Sequence, residues 1–333
     1  MSIHNQNKIT LEPYFYSLLN GPREDWRNLF CEVFASDAVI RLGYPLGELE
    51  GPVEYYDQAY QPLLRALPDL EKRNFIVMAG SGWKKGRAGN WIGLGGNFVG
   101  TFTRPWLGIP PTGKPVYMRF HEYLKIDEGQ VVLMEALWDI PQIMQQADTW
   151  PMAPQLGVEW MCPGPSDGMG IISQRYNSKK ANQSVQIVWD MLHDLQKGDA
   201  KRPDLGMEKY WHRDCLWYGP AGIGSAMGVA GIREVVLKGF RKGLSTNTRK
   251  LNEGVFFGDH NLVAFSGWPS AVATHSGDGF LGLAPTGREF TRRSLDFWRI
   301  ENDKVRENWV MVDMLDIYRQ LGIDVFGRMK ALL

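Results

Sequence analysis

The stretch Trp106–Gln146 returns without a gap as Phe280–Gln320. The offset stays at 174 residues, carrying Leu107 onto Leu281, Pro111-Thr112-Gly113 onto Pro285-Thr286-Gly287, Arg119 onto Arg293, Val131 onto Val305 and Asp139 onto Asp313. That period is far beyond the roughly 20 to 50 residues of a solenoid unit and has the length of a whole domain. The 333 residues therefore read as two copies of one fold. Function must arise inside a single copy of roughly 150 residues, or at the seam between two.

Lysine plus arginine and aspartate plus glutamate balance at 37 each, and no basic run stands out. That charge pattern offers no electrostatic footprint for nucleic acid or an anionic membrane. No apolar run is long enough to span a bilayer. The opening MSIHNQNKITLEPYF lacks the charged, apolar and cleavage regions of a secretion signal, so a soluble cytoplasmic protein is expected. Cys31, Cys162 and Cys215 are too scattered for a disulfide framework or a CxxC site, and the six histidines are dispersed. A metal is not indicated. Aromatic residues reach 12% of the chain, and such side chains fill cores as readily as they line apolar cavities. A small, largely apolar molecule is the expected partner.

In the first copy, Gly21-Pro22 with Glu24 and Asp25 reads as a helix start, and Trp26, Leu29, Phe30, Val33 and Phe34 recur at helical spacing. A short strand over Ala38–Leu42 follows, then a helix from Pro52 with a stripe of Val53, Tyr56, Tyr60, Leu63, Leu64 and Leu67. From Asn74 the period drops toward two, giving strands Asn74–Ala79, Trp91–Phe102, Val116–Ile126 and Gln130–Ile140 separated by turn chemistry. Between Asp148 and Lys180 prolines and glycines break every period. The second copy repeats the order: helix Gln183–Gln196, strand Cys215–Tyr218, helix Gly231–Leu244, then strands Leu251–Phe257, Asn261–Thr274, Glu289–Ile300 and Lys304–Asp313. A final helix starts at Met314, and an amphipathic tail spans Val325–Leu333. Expected are a domain over residues 1–150, a linker over 151–180 and a domain over 181–333. Helices followed by consecutive hairpin strands make each copy an α+β unit, with helices on one face of a curved antiparallel sheet.

Asp313 and Asp139 each close an apolar strand just before a helix. If their face lines a cavity, desolvation lifts the carboxyl into the range of an acid/base catalyst; equally, each stands where a helix N-cap belongs. Parity groups Asp313 with Trp309 and Met311, and Asp139 with Leu133, Glu135 and Leu137. His275 is expected near the end of the longest strand, where an imidazole can orient a carbonyl or carry a proton, and Phe102 takes its place in the first copy. Arg119 and Arg293 recur beside Glu122 and Asp296; a cross-strand ion pair is expected there, with an anion clamp as the alternative. The Pro-Thr-Gly triplets look like turns. Gly222-Ile223-Gly224 with Gly228 has the wrong spacing for a dinucleotide loop, and no GxSxG or HExxH is present.

The segments YGPAGIGSAMGVAGIREV, THSGDGFLGLAPTGREF and ENWVMVDMLDIYRQLG resemble the SnoaL-like polyketide cyclase family, over most of Val185–Gly322 and more weakly over Phe15–Gln146. The resemblance implies two tandem cones of the nuclear transport factor 2-like fold, each closed around an apolar pocket. It implies a metal-free, cofactor-free intramolecular aldol closure, or a related isomerisation or dehydration, on an apolar carbonyl or polyketide-like ligand. Carried over residue by residue, the family's acid/base Asp falls on Asp313 and its motif His on His275. Tyr218 follows Trp217 where many members have a His. Trp217, Tyr218, Trp309, Arg293 and Asp139 are the expected substrate contacts. The first copy, keeping Asp139 without the His, is expected to stand in for the second subunit of a family homodimer, the two sheets face to face; a further homodimer of the whole chain is compatible with this. A non-catalytic binding or scaffold protein of the same fold is the competing reading.

Overall fold

The computed structural model describes residues 2–83, 87–197, 207–237 and 243–333. In the N-terminal copy, helices Ile3–Thr10, Glu12–Asn20 and Trp26–Val33 precede β1 (Phe34–Leu42) and β2 (Glu48–Glu50). Helical residues 51–66 lead to β3 (Glu71–Ser81), β4 (Asn90–Thr101), β5 (Pro115–Asp127) and β6 (Gln130–Trp138), and helix Ile140–Gln146 ends the copy. The C-terminal copy runs from helix Ser178–Lys197 through β7 (Trp211–Tyr218), β8 (Ala226–Met227) and helix Gly228–Ile232 with its continuation Arg233–Leu237. Then come β9 (Leu244–Arg249), β10 (Val255–Asp259), β11 (Leu262–His275), β12 (Glu289–Glu301), β13 (Lys304–Val312) and helices Met314–Gln320 and Val325–Lys330. The helix expected over 231–244 is represented by its first part; residues 238–242 lie outside the described residues.

The two sheets share one plan, β2-β1-β6-β5-β4-β3 and β10-β11-β12-β13-β7-β8, with β9 also on β11. They are mixed, where antiparallel sheets were expected: β1 runs parallel to β6 and β7 to β13, because helices and the other strands intervene before each copy's last strand returns beside its first. The β5–β6 and β12–β13 hairpins turn on Glu128-Gly129 and Asn302-Asp303, all four with positive φ, the turn geometry that matches strand twist. Of the stripe expected from Pro52, Tyr56, Tyr60, Leu63 and Leu67 are buried and Leu64 partly so, while Val53 is exposed. A π turn over Tyr55–Tyr60 widens the buried face to include Tyr55 and Ala59.

The two sheets pack against each other face to face. Ile76, Trp91 and Tyr123 of one copy pack with Phe257, Phe297 and Trp309 of the other in this seam. The backbones approach closely, since a Cβ on Gly80 would lie 2.6 Å from the Gly258 carbonyl oxygen. The Pro/Gly-rich segment is part of the contact. Its Cys162 and Ile172 are buried there, Gly170 accepts from Val77 N–H at 3.0 Å, and Trp309 Nε1 donates to Pro163 O at 3.0 Å.

Candidate active site

Strand alternation divides the candidate residues between two buried faces. On β12, Arg293, Leu295 and Phe297 alternate with Arg292, Ser294, Asp296 and Trp298; the second set faces the C-terminal cone and lines a cavity of about 140 Å³. Asn308, Val310 and Val312 of β13, Trp217 of β7, Met191 and Leu192 of the long helix, and Arg249 at the end of β9 complete much of its wall. The wall is apolar except for one patch: Arg249, Arg292, Ser294, Asp296 and Asn308.

Asp296 is the acid of that patch. It is 8% exposed; Oδ2 accepts from Ser294 Oγ at 3.4 Å, and Oδ1 has no hydrogen-bond partner among the described residues. Burial pushes its carboxyl up to about 7, against the opposing pull of Arg249 and Arg292. Arg292 Nε donates to Ser270 Oγ at 3.4 Å, which anchors that guanidinium. The N-terminal copy holds the backbone behind the acid. Tyr123 Oη donates to Asp296 O at 2.5 Å, and His121 Nδ1 lies 2.8 Å from Leu295 O. Burial drives the His121 pKa well down, so the ring is neutral and serves there as an Nδ1–H donor.

Asp313 is elsewhere. It shares the face of Trp309 and Met311, which is the seam, and is not part of the cavity wall. Its Oδ1 caps the following helix by accepting from Asp316 N–H at 3.2 Å, and its Oδ2 accepts from Tyr44 N–H of the first copy at 3.0 Å. Asp139 answers from the other side, accepting from Ala221 N–H of the second copy at 3.0 Å. The two aspartates thus form a reciprocal clasp between the copies. Burial lifts both pKa values, that of Asp313 to about 6, with Asp316 adding to the lift.

The remaining expected residues divide the same way. Trp217 is in the cavity wall. Tyr218 stacks on Trp309 in the seam at 5.2 Å between ring centroids. His275 is buried beside Phe280, its Nδ1 within 3.1 Å of Thr286 Oγ1, and burial lowers its pKa. No hydrogen bond joins it to Asp313 among the described residues. The cross-strand ion pairs expected of Arg119 and Arg293 form with Asp139 and Asp313 at the ends of the neighbouring strands, while Glu122 and Asp296, three residues along the same strands, face the opposite side. Arg119 donates across the seam to Gly219 O at 2.7 Å and Tyr218 O at 3.0 Å and lies 3.5 Å from Asp139. Arg293 meets Asp313 at 3.2 Å.

What parity missed was which face encloses space. A signal existed at the 174-residue offset: Phe120 is matched by Ser294, and Trp138 by Val312. Register adds a third exchange, since Phe98 pairs with Met118 and Ala271 with Arg292, their matched positions. Large rings in one cone become small side chains in the other. Among the described residues, no group of three or more His, Cys, Asp or Glu is gathered as a metal site would require.

The SnoaL-like polyketide cyclase family matches residues 23–147 and 190–321, one match per cone. The chain belongs to this family, in tandem duplicate. No curated protein matches it. Among solved structures it is similar to a protein from Jannaschia sp. CCS1 provisionally assigned as a SnoaL-like polyketide cyclase, at 22% identity over 44% of this chain and 93% of that one (TM-score 0.35). It is also similar to IdmH from Streptomyces antibioticus, provisionally assigned as a polyketide cyclase, at 21% identity over 43% and 99% (TM-score 0.34). An NTF2-like protein from Burkholderia xenovorans LB400 matches at 19% identity over 42% and 97% (TM-score 0.33). Among the described residues no helix is long and apolar enough to cross a membrane.

Proposed function

We propose that the C-terminal cone is a cofactor-independent acid/base catalyst acting on a small carbonyl compound, with Asp296 as the group that takes and returns the proton. One observation carries this reading: a nine-tenths buried carboxyl with an unpartnered oxygen stands in the wall of an otherwise apolar cavity. A carboxyl titrating near 7 is poised to serve as base and, once protonated, as acid at neutral pH. Asp296 removes a proton from carbon next to the carbonyl, the C–H pair becoming the enolate π bond. Arg249 and Arg292 stabilise the oxyanion. The enolate then either attacks a second carbonyl of the same molecule, its π pair forming the ring C–C bond while the broken C=O π pair becomes an alkoxide that takes the proton from Asp296, or takes that proton back at another carbon; both outcomes return Asp296 to carboxylate. Trp217 and Trp298 hold the apolar body and exclude water.

In this reading Asp313 and Asp139 hold the copies together, and His275 supports the Thr286 turn. The volume matters too. A void of about 140 Å³ is close to the engineered cavity of about 150 Å³ that binds benzene, so the substrate is monocyclic in size. The test is α-proton exchange on cyclohexanone in D2O, followed by mass spectrometry. Wild-type protein should exceed the buffer rate and Asp296→Asn should lose about 10²-fold or more of that excess. Equal exchange by protein and variant would remove Asp296 from the chemistry; a ligand bound without exchange would favour a binding protein.

A further inference from the structure

Each copy is followed by a segment that crosses to the other copy, and the two segments differ in what they fill. The 174-residue offset carries Ala153–Leu156 onto Gly327–Lys330 and Gly108 onto Gly282. Ala153 lies against the turn that holds Gly282, where an added Cβ would collide with it. Met329 lies against the turn that holds Gly108, its Cε 3.7 Å from where a Cβ would stand. That methionine is fully buried in the core. Its counterpart is Gln155, whose Oε1 turns aside to accept from Gly222 N–H at 2.9 Å and from Gln145 Nε2 at 3.0 Å. Beside it a cavity of about 160 Å³ stands open, lined by Ala153, Pro154, Leu156, Ile223, Val235 and Leu281 and otherwise by glycine.

This second space adjoins the cavity of Asp296. Ile223 borders both, and Val235 faces the one while the adjoining Val236 faces the other. The backbone of the shared wall is satisfied within the fold: Ile223 O accepts from Gly157 N–H at 2.9 Å, and Ile223 N–H donates to Pro220 O at 3.0 Å. Such a wall selects apolar volume of the right shape. We propose that the C-terminal cone takes a carbonyl ring bearing an unbranched apolar side chain, the ring beside Asp296 and the side chain past Ile223, in the space that Met329 fills in the other cone. This deepens the functional reading and rests on the Asp296 cavity being the substrate site. A butyl chain has as many heavy atoms as the methionine side chain it would replace, so butyl is the length that fits.

The test is calorimetric titration of the full chain with cyclohexanones substituted at the carbon opposite the carbonyl. Affinity should rise about threefold per methylene from methyl to butyl, about 30-fold in all. The tert-butyl isomer, as apolar but branched, should stay within about threefold of the methyl compound. Gln155→Met, which installs the residue of the N-terminal cone, should remove the gain while leaving cyclohexanone itself within about twofold. Val235→Phe fills the same space from the helix side and should do likewise. No gain with chain length, an equal gain for the branched isomer, binding of no ketone, or a gain that survives in either folded variant would overturn the proposal. The two readings fail separately. A chain-length gain without α-proton exchange on cyclohexanone removes the catalysis and keeps the ligand class; exchange without the gain does the reverse.

Discussion

Glu122 and Asp296 occupy one position of one fold, yet their surroundings are opposite. Around Glu122, Tyr14, Tyr60, Phe98, Phe120 and Trp138 are buried in a continuous aromatic cluster, and Lys72 meets the carboxyl while lying 4.4 Å from the centre of the Tyr14 ring. Around Asp296 the matched positions shrink to Ala271, Ser294 and Val312, and a cavity remains. What fills the volume beside an acid thus decides whether it is packed in or borders a cavity, with its own position in the sheet unchanged. The filled cone is still useful to the open one. Through Tyr123 and His121 it grips the backbone of Leu295 and Asp296.

The comparison breaks most visibly in activity. Asp296→Asn should lower proton exchange by about 10²- to 10⁴-fold, whereas Glu122→Gln should leave exchange by the folded protein unchanged; similar losses in both would show the cones to be functionally equal. Stability should respond in the opposite sense. Lys72→Met leaves the Glu122 charge unpaired and should cost about 3–5 kcal/mol, while Arg249→Met, at a half-exposed position, should cost about 1 kcal/mol or less; chemical denaturation measures both. Ser294→Phe transplants the filling of the N-terminal cone into the cavity. It should abolish ligand binding at a change of about 1–3 kcal/mol, where Phe120→Ser should cost about 3–5 kcal/mol through the void it leaves.

The smallest effects concern pH. Exchange should rise with pH around 7 as Asp296 loses its proton. Asp313 has a folded pKa near 6, raised from an ordinary value of 3.8. Its stabilising contribution is therefore complete below about pH 4 and lost as pH climbs through 6. Melting curves of the wild-type chain should show a decline over that window which Asp313→Asn flattens, with exchange on cyclohexanone preserved. A variant whose exchange collapses would move the reactive acid to the seam.

The repeat, the hairpin order and the helical openings were all legible, because a 174-residue self-match and changes of period are properties of the chain itself. Parity also grouped Asp313 with Trp309 and Met311. It could not say which group faces the ligand, since strands of both copies are buried on both faces and apolar residues are required on each. A cone-lining residue and a seam residue then have the same local signature. The π turn at Tyr55–Tyr60 escaped for a related reason: a shift of phase inside a helix leaves the composition of its stripe intact.

By itself, the sequence determined a duplicated α+β unit of the SnoaL-like family and the places where aromatic rings in one copy give way to small side chains in the other. Only the tertiary structure decided that Asp313 and Asp139 clasp the two copies while Asp296 stands in open space. Whether a carboxyl is a cap, a clasp or a reactive group depends on the volume and charge brought to it by strands far away in the chain. Those are set by how two curved sheets close and stack.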